Sequence, residues 1–216
     1  MTKPQALIVD FGGVLTSPLQ DAMVAFSAEL EIELQDLVRA ALGAYSGESD
    51  SLVTDFETGL ITETEFAAAF ALRLEKLTGK PVPAEGLVDR LFGALSLEEM
   101  MLDALVVARR CGLKTALLSN SWGLDVYPRS RFPELFDAVA ISGEVGLRKP
   151  DPEIFHLIIE ELGVPAALCV FVDDHPGHLK TARELGMRTV LHRTPAETIA
   201  ELEELLGLEL SVSGNS

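Results

Sequence analysis

Long apolar runs are missing from these 216 residues. None approaches the roughly 18 residues that a helix needs to cross a bilayer, so no membrane partner is expected. Cysteine is scarce. The two present, Cys111 and Cys169, stand in apolar stretches without metal-like spacing, and both read as reduced core thiols of a cytoplasmic protein. Positive charge is outnumbered: 17 Lys and Arg face 34 Asp and Glu, for a formal charge of -17. Phosphate backbones need basic faces, which argues against nucleic acid or an anionic membrane surface as a partner. The opening MTKPQALIVD holds no long apolar core before its first acid, so export is not expected. Internal repeats and low-complexity linkers are also lacking.

What the chain has is apolar bulk. Hydrophobic residues make up 48% of it, enough for a real core in one domain with a sizeable insertion. Short β-rich runs at 6–10, 115–120, 138–142, 169–174 and 189–193 alternate with helical patterns. This is the signature of a parallel sheet covered by helices on both faces. Helices are expected at 96–111, 151–162 and 177–185, each closed by a glycine, and at 195–206, followed by a frayed SVSGNS tail. Residues 18–95 break the alternation: they show helical periodicity and no convincing strand. Thr62 with Glu65, and Ser96 with Glu99, have the spacing of capping boxes. The chain therefore divides into a core of residues 1–17 plus 96–216 and a helical cap of 18–95. An insertion there covers the carboxyl ends of the strands, where open α/β sheets bind ligands.

Chemistry-bearing residues gather at those ends. The first strand runs into Asp10 and then Phe11-Gly12-Gly13; the second ends in Ser119-Asn120-Ser121; the fourth ends in Asp173-Asp174; Lys149 stands in GLRKPDPEIF. Each alone has a plain structural reading, as turn former, loop, solvated charge or helix cap. Together they suggest phosphoryl transfer. Adjacent carboxylates repel unless a cation joins them, and hard oxygens at this density suit Mg²⁺. With Lys149, such a cation would neutralise a phosphate dianion, leaving Asp10 to attack phosphorus. Gly12 and Gly13 would let backbone N–H groups, from Phe11 onward, approach the phosphate closely, and the carbonyl of Gly12 could ligate the metal.

These motifs resemble those of the haloacid dehalogenase-like hydrolases: DFGGVLT the first, LLSNS the second, the lysine of GLRKPDPEIF the third, and VFVDDHPGHLKTARELGM the fourth. FETGLITETEF is similar to the helical cap of many members. The resemblance covers nearly the whole chain and is strongest to the branch of sugar-phosphate phosphatases and the N-terminal phosphatase domain of soluble epoxide hydrolases. It implies a Rossmann-like α/β sheet ordered 5-4-1-2-3 and a small phosphorylated metabolite as substrate, and leaves the oligomeric state open. By the same resemblance Asp10 is nucleophile and metal ligand, and the Gly12 carbonyl is the second ligand. Asp174 binds the metal directly, Asp173 directly or through water; Ser119 and Asn120 hold the phosphate, and Lys149 neutralises it.

One position departs from the pattern. Most phosphatases of the family carry an aspartate two residues after the nucleophile, to protonate the departing oxygen and later activate water; here Gly12 has no side chain. General acid–base help is worth about 10²–10⁴-fold, so its loss slows an enzyme without abolishing it. His178, where relatives often place asparagine, is either a surface histidine or a substitute for that acid; His175 and Asp125 are other candidates. Two rival readings follow: a slow or non-catalytic phospholigand-binding protein, and a 2-haloacid dehalogenase. The Asp173-Asp174 pair disfavours the dehalogenase, which needs no metal.

Overall fold

Ala6–Val9, the first apolar run, forms strand β1 with all four residues buried, as a strand paired on both edges and covered on both faces must be. In the computed structural model, which describes residues 2–42, 51–123 and 126–210, β1 is the centre of a five-stranded sheet. Its neighbours are β2 (Lys114–Ser119) and β4 (Cys169–Asp173), both parallel, with Val9 level with Leu117 on one side and Val172 on the other. Strands β3 (Ala138–Ile141) and β5 (Arg188–Leu191) complete the order 3-2-1-4-5, which is the expected order counted from the other edge. Period-two alternation sends Leu7 and Val9 into one apolar cluster, and Ala6 and Ile8 into another, on opposite faces of the sheet.

Among the described residues, five α-helices follow β1: α1 (Leu19–Glu29), α2 (Leu34–Leu42), α3 (Leu52–Glu57), α4 (Glu63–Thr78) and α5 (Leu87–Phe92). They share a third apolar cluster around Phe26, Phe66, Phe70 and Phe92, with Trp122 and Val126 packed against it from the loop after β2. The remaining helices are α6 (Glu99–Arg110), α7 (Phe132–Leu135), α8 (Ser142–Val145), α9 (Pro152–Leu162), α10 (Pro176–Glu184) and α11 (Pro195–Leu206). Proline opens α9, α10 and α11, where its missing N–H costs nothing.

The Thr62–Glu65 capping box forms as expected. The one expected at Ser96–Glu99 does not. Helix α6 starts a turn later, with Glu98 as an N-cap that makes no side-chain bond. Ser96 is held instead by the incoming chain: its N–H donates to Ser17 Oγ, its carbonyl accepts from Ser17 N, and Thr16 bridges Leu97. The two passages between sheet and inserted helices are thus laced together, and that pairing outweighs a local cap. Cys169 is buried, but Cys111 is exposed at the C-cap of α6, contrary to expectation; its apolar neighbours face inward while the chain turns out at Gly112. The SVSGNS tail and Asp125 lie outside the described residues.

Candidate active site

The parallel sheet places four strand ends side by side, and the side chains there converge on one ammonium group. Lys149 is fully buried. Its Nζ lies 2.8 Å from Asp10 Oδ1 and 2.8 Å from Asp173 Oδ2. Burial alone would strip the proton from this amine, but the two carboxylates outweigh it and hold the pKa above the ordinary lysine value. The peptide of Lys149 is clamped as well: its N–H donates to Asn120 Oδ1 at 2.8 Å, and its carbonyl accepts from Asn120 Nδ2 at 2.9 Å. The side chain of Asn120, expected to hold phosphate, is spent on orienting the lysine.

The two aspartates of the fourth motif do different work. Asp173 is wholly buried and accepts from the His175 N–H at 2.7 Å, from Lys149, and from His178 Nδ1 at 3.0 Å to each oxygen. Burial opposes its charge, but the Lys149 ammonium and the His178 bond hold it well below the usual carboxylate range. With Asp173 ionised, His178 carries its proton on Nδ1, and burial keeps the ring below its ordinary pKa. His178 is therefore half-buried against Asp173 and lines the cavity together with its ring neighbour His175. Asp174, next in the chain, is exposed as a residue at the cavity wall, but partial desolvation of its carboxylate, and then the charge of Asp173, raise its pKa.

Asp10 is buried, and the burial pushes its carboxyl up to about 8, with Lys149 pulling against it and Asp173 adding to the rise. Its Oδ1 also accepts from Phe11 N at 2.7 Å, so that N–H is engaged here rather than offered to a ligand. The second glycine has a clear reason. Gly13 has φ +71°, and a Cβ there would stand 2.6 Å from Asp174 Oδ2. Gly12 is different: an added Cβ would meet nothing within 4 Å. Ser119 Oγ sits 2.9 Å from the hydroxyl of Tyr127, whose pKa burial pushes up to about 12. No local pattern marked Tyr127, because its partner lies across a loop.

Most of these groups border one cavity of about 360 Å³; Asp173 and Gly13 do not line it. Asp10, Gly12, Ser119, Asn120 and Asp174 line one part, and Lys149 lies behind them. Leu19, Phe92, Leu95, Trp122 and Val126 line another. Glu57, Arg148 and Pro150 complete the wall.

The residues fit a divalent cation. Three carboxyl groups crowd a single ammonium, and the burial and mutual repulsion that raise Asp10 and Asp174 are what a hard dication would offset. By distance, one atom each from Asp10, Asp173 and His178 lie within 4.8 Å of one another. Both Asp173 oxygens and His178 Nδ1 are already engaged with each other.

A family model for haloacid dehalogenase-like hydrolases matches residues 4–186. The chain is 30% identical over 220 residues to the bifunctional epoxide hydrolase 2 of Sus scrofa, covering 95% of this chain and 39% of that protein. It is 28% identical over 160 residues to the flavin mononucleotide hydrolase 1 of Arabidopsis thaliana, covering 73% of this chain and 63% of that one. The chain thus spans less than two thirds of the length of either relative. A family enzyme from Bacteroides thetaiotaomicron, crystallised with magnesium and inorganic phosphate, superposes with a TM-score of 0.66 at 25% identity, over 88% of this chain and 94% of its own. The chain belongs to the haloacid dehalogenase-like hydrolases.

Proposed function

We propose that this haloacid dehalogenase-like hydrolase is a magnesium-dependent phosphomonoesterase that works through an aspartyl-phosphate on Asp10. The observation that carries this reading is the buried Lys149 ammonium, held 2.8 Å from both Asp10 and Asp173 at the centre of the sheet's carboxyl edge. A cation so placed suits a phosphoryl group brought up to Asp10. The magnesium and phosphate bound by the Bacteroides enzyme, and the phosphomonoester named for the plant relative, support the same chemistry.

An oxygen of Asp10 bonds to phosphorus while the bond from phosphorus to the departing oxygen breaks, and that oxygen leaves with the electron pair. Water then adds to phosphorus and gives up a proton, which passes to the departed oxyanion or to solvent; the bond to Asp10 breaks, and the carboxylate and inorganic phosphate are released. Lys149 and the Ser119 hydroxyl stabilise the charge on the transferring oxygens. A magnesium ion on Asp10, the Gly12 carbonyl and Asp174 would add positive charge at the same place. With no acid at residue 12, the departing oxygen must leave with little protonation, unless His178 or His175 at the cavity wall supplies the proton.

The inserted segment, which we take as the cap formed by residues 18–95, supplies Leu19, Phe92 and Leu95 to the apolar part of the cavity, and the loop after β2 supplies Trp122 and Val126. Tyr127 and Asn120, its hydroxyl and amide groups, are already engaged with Ser119 and Lys149. Leu19, Phe92, Leu95 and Trp122 suit a small metabolite with an apolar departing group, which gains about 25 cal/mol per Å² on burial, better than a polyol. A screen of phosphorylated metabolites with and without Mg²⁺ tests the proposal. Magnesium-dependent phosphate release that Asp10→Asn abolishes is the expected result; turnover surviving in Asp10→Asn refutes it. Gly12 favours a second reading, a slow or non-catalytic phospholigand-binding protein, and tight phosphate binding without turnover of any substrate would select it.

A further inference from the structure

Arg148 stands directly before Lys149, yet its guanidinium is held from the inserted helices. NH1 donates to Thr54 Oγ1 at 3.0 Å, and NH2 lies 2.7 Å from Glu57 Oε2. Both partners belong to α3. The ion pair is buried, with side-chain exposures of 17% for Arg148 and 5% for Glu57. Helix α3 is seated on the sheet end by other contacts too. Ser142 Oγ donates to the Glu57 carbonyl and accepts from the N–H of Ser121, two residues beyond Ser119. Gly59, just past α3, has φ +71° and approaches so closely that a Cβ would lie 2.6 Å from the Gly143 carbonyl oxygen.

A buried ion pair is a poor way to glue two surfaces, because desolvating both charges cancels much of their attraction. This one is imperfect as well: Glu57 Oε2 and Arg148 Nε are buried without a hydrogen-bond partner of proper geometry. Burial pushes the Glu57 carboxyl up to about 7 despite Arg148, with Lys149 also pulling it down. Apolar side chains would join the surfaces at least as well. What they would not do is tie α3 to the residue next to Lys149. That lysine is otherwise located through its peptide on Asn120 and its ammonium on two aspartates.

We propose that Glu57 and Thr54 make Arg148 a positioning residue, so that the seating of α3 on the core sets the placement of the Lys149 ammonium at the phosphate. The proposal rests on the reading of Lys149 as the phosphate-neutralising group. Its probe is inorganic phosphate, titrated calorimetrically in the presence of Mg²⁺ into the full chain, with thermal melts recorded for every protein. Glu57→Gln and Arg148→Met should each weaken phosphate binding about tenfold, and the double variant should be no weaker than the worse single, as coupled residues behave. Arg148→Lys, which keeps the charge, should recover part of the loss. Thr54→Val keeps the ion pair and should cost about threefold, and it carries the test if Arg148→Met does not fold. Variants that melt lower but bind phosphate like the parent would make the pair a structural joint and overturn the proposal, as would losses that multiply in the double variant. A parent that binds no phosphate would sink the phosphatase reading and this inference with it; a parent that binds, with unchanged variants, sinks the coupling alone.

Discussion

The two parts of the active-site cavity are built on opposite plans. At the strand ends, charged groups are buried and each is tied by several partners: Lys149 by two carboxylates and an amide, Asp173 by a lysine, a histidine and a backbone N–H. On the side of the inserted helices the wall is mostly apolar, and the Glu57–Arg148 pair is its chief charged feature. Fixed charges cannot be moved without cost, so the first region suits the step common to all phosphomonoesters. Apolar walls select by shape and tolerate substitution, so the second suits discrimination among departing groups.

The largest effect should come from the strand ends. Asp10→Asn keeps the shape but removes the proposed nucleophile, and kcat should fall by about 10³-fold or more. The change also takes one of the two carboxylates from Lys149. Stopped assays with a chromogenic aryl phosphate would measure it, and a fall below tenfold would move the nucleophile elsewhere.

The two glycines sharpen the contrast within a single loop. Gly12 has room for a Cβ, whereas Gly13 is left-handed with Asp174 in the way. Gly12→Asp should therefore fold and recover part of the missing acid–base help, raising turnover of alkyl phosphates by up to about 10²-fold while aryl phosphates gain little. A graded series of leaving groups, assayed with chemistry rate-limiting, would show the slope flatten. A parent whose rate is already insensitive to leaving-group pKa would assign the proton to His178, His175 or another group. Gly13→Ala should instead cost about 1–3 kcal/mol of stability and push Asp174 from its place.

Much of this was legible in the sequence, for a physical reason. Strand ends are local events: an apolar run stops at Asp10, at Ser119 or at Asp173, and a parallel sheet must bring those ends together. The partnerships that refine the site are not local. Asn120 clamps Lys149 from 29 residues away, and Arg148 reaches Thr54 across 94. Glu57 shows no periodicity or spacing that marks it as a wall residue. The two glycines after Asp10 read as room for a close approach to phosphate, and at Gly13 the structure adds a nearer cause, the carboxylate of Asp174. His178 could have been a surface residue, and only the fold shows its ring against Asp173.

Acidity tests the boundary between the regions. Glu57 is raised in the folded chain from 4.5 to about 7. Between those values the folded state holds the proton more tightly than the unfolded chain, so this group makes the protein more stable as pH falls from about 7 towards 4.5, and adds no slope above 7. Asp10, raised to about 8, bends the metal-free curve in the same direction, so the informative quantity is the difference between parent and Glu57→Gln. Stability measured by denaturant titration should fall with rising pH more steeply in the parent between pH 5 and 7, by about 1 kcal/mol per pH unit. Parallel curves would mean that Glu57 keeps an ordinary carboxylate pKa.

The smallest effect should come from the surface of the inserted helices. Thr62 caps α4: its hydroxyl accepts from Glu65 N at 3.2 Å, while its own N–H donates to the Glu65 carboxylate at 2.8 Å. The cap is exposed and contributes nothing to the cavity wall, but it fixes the start of the helix that carries Phe66 and Phe70 into the apolar cluster. Thr62→Ala should lower stability by about 1 kcal/mol. Phosphate binding should not change, because the contacts that seat α3 on the core involve Thr54, Glu57 and Gly59 rather than α4. Calorimetric titration of phosphate beside a thermal melt separates the two quantities. A loss of phosphate affinity in step with the loss of stability would mean that strain in the inserted helices reaches the strand ends as a whole, and the division between a fixed charged region and a tolerant apolar one would fail.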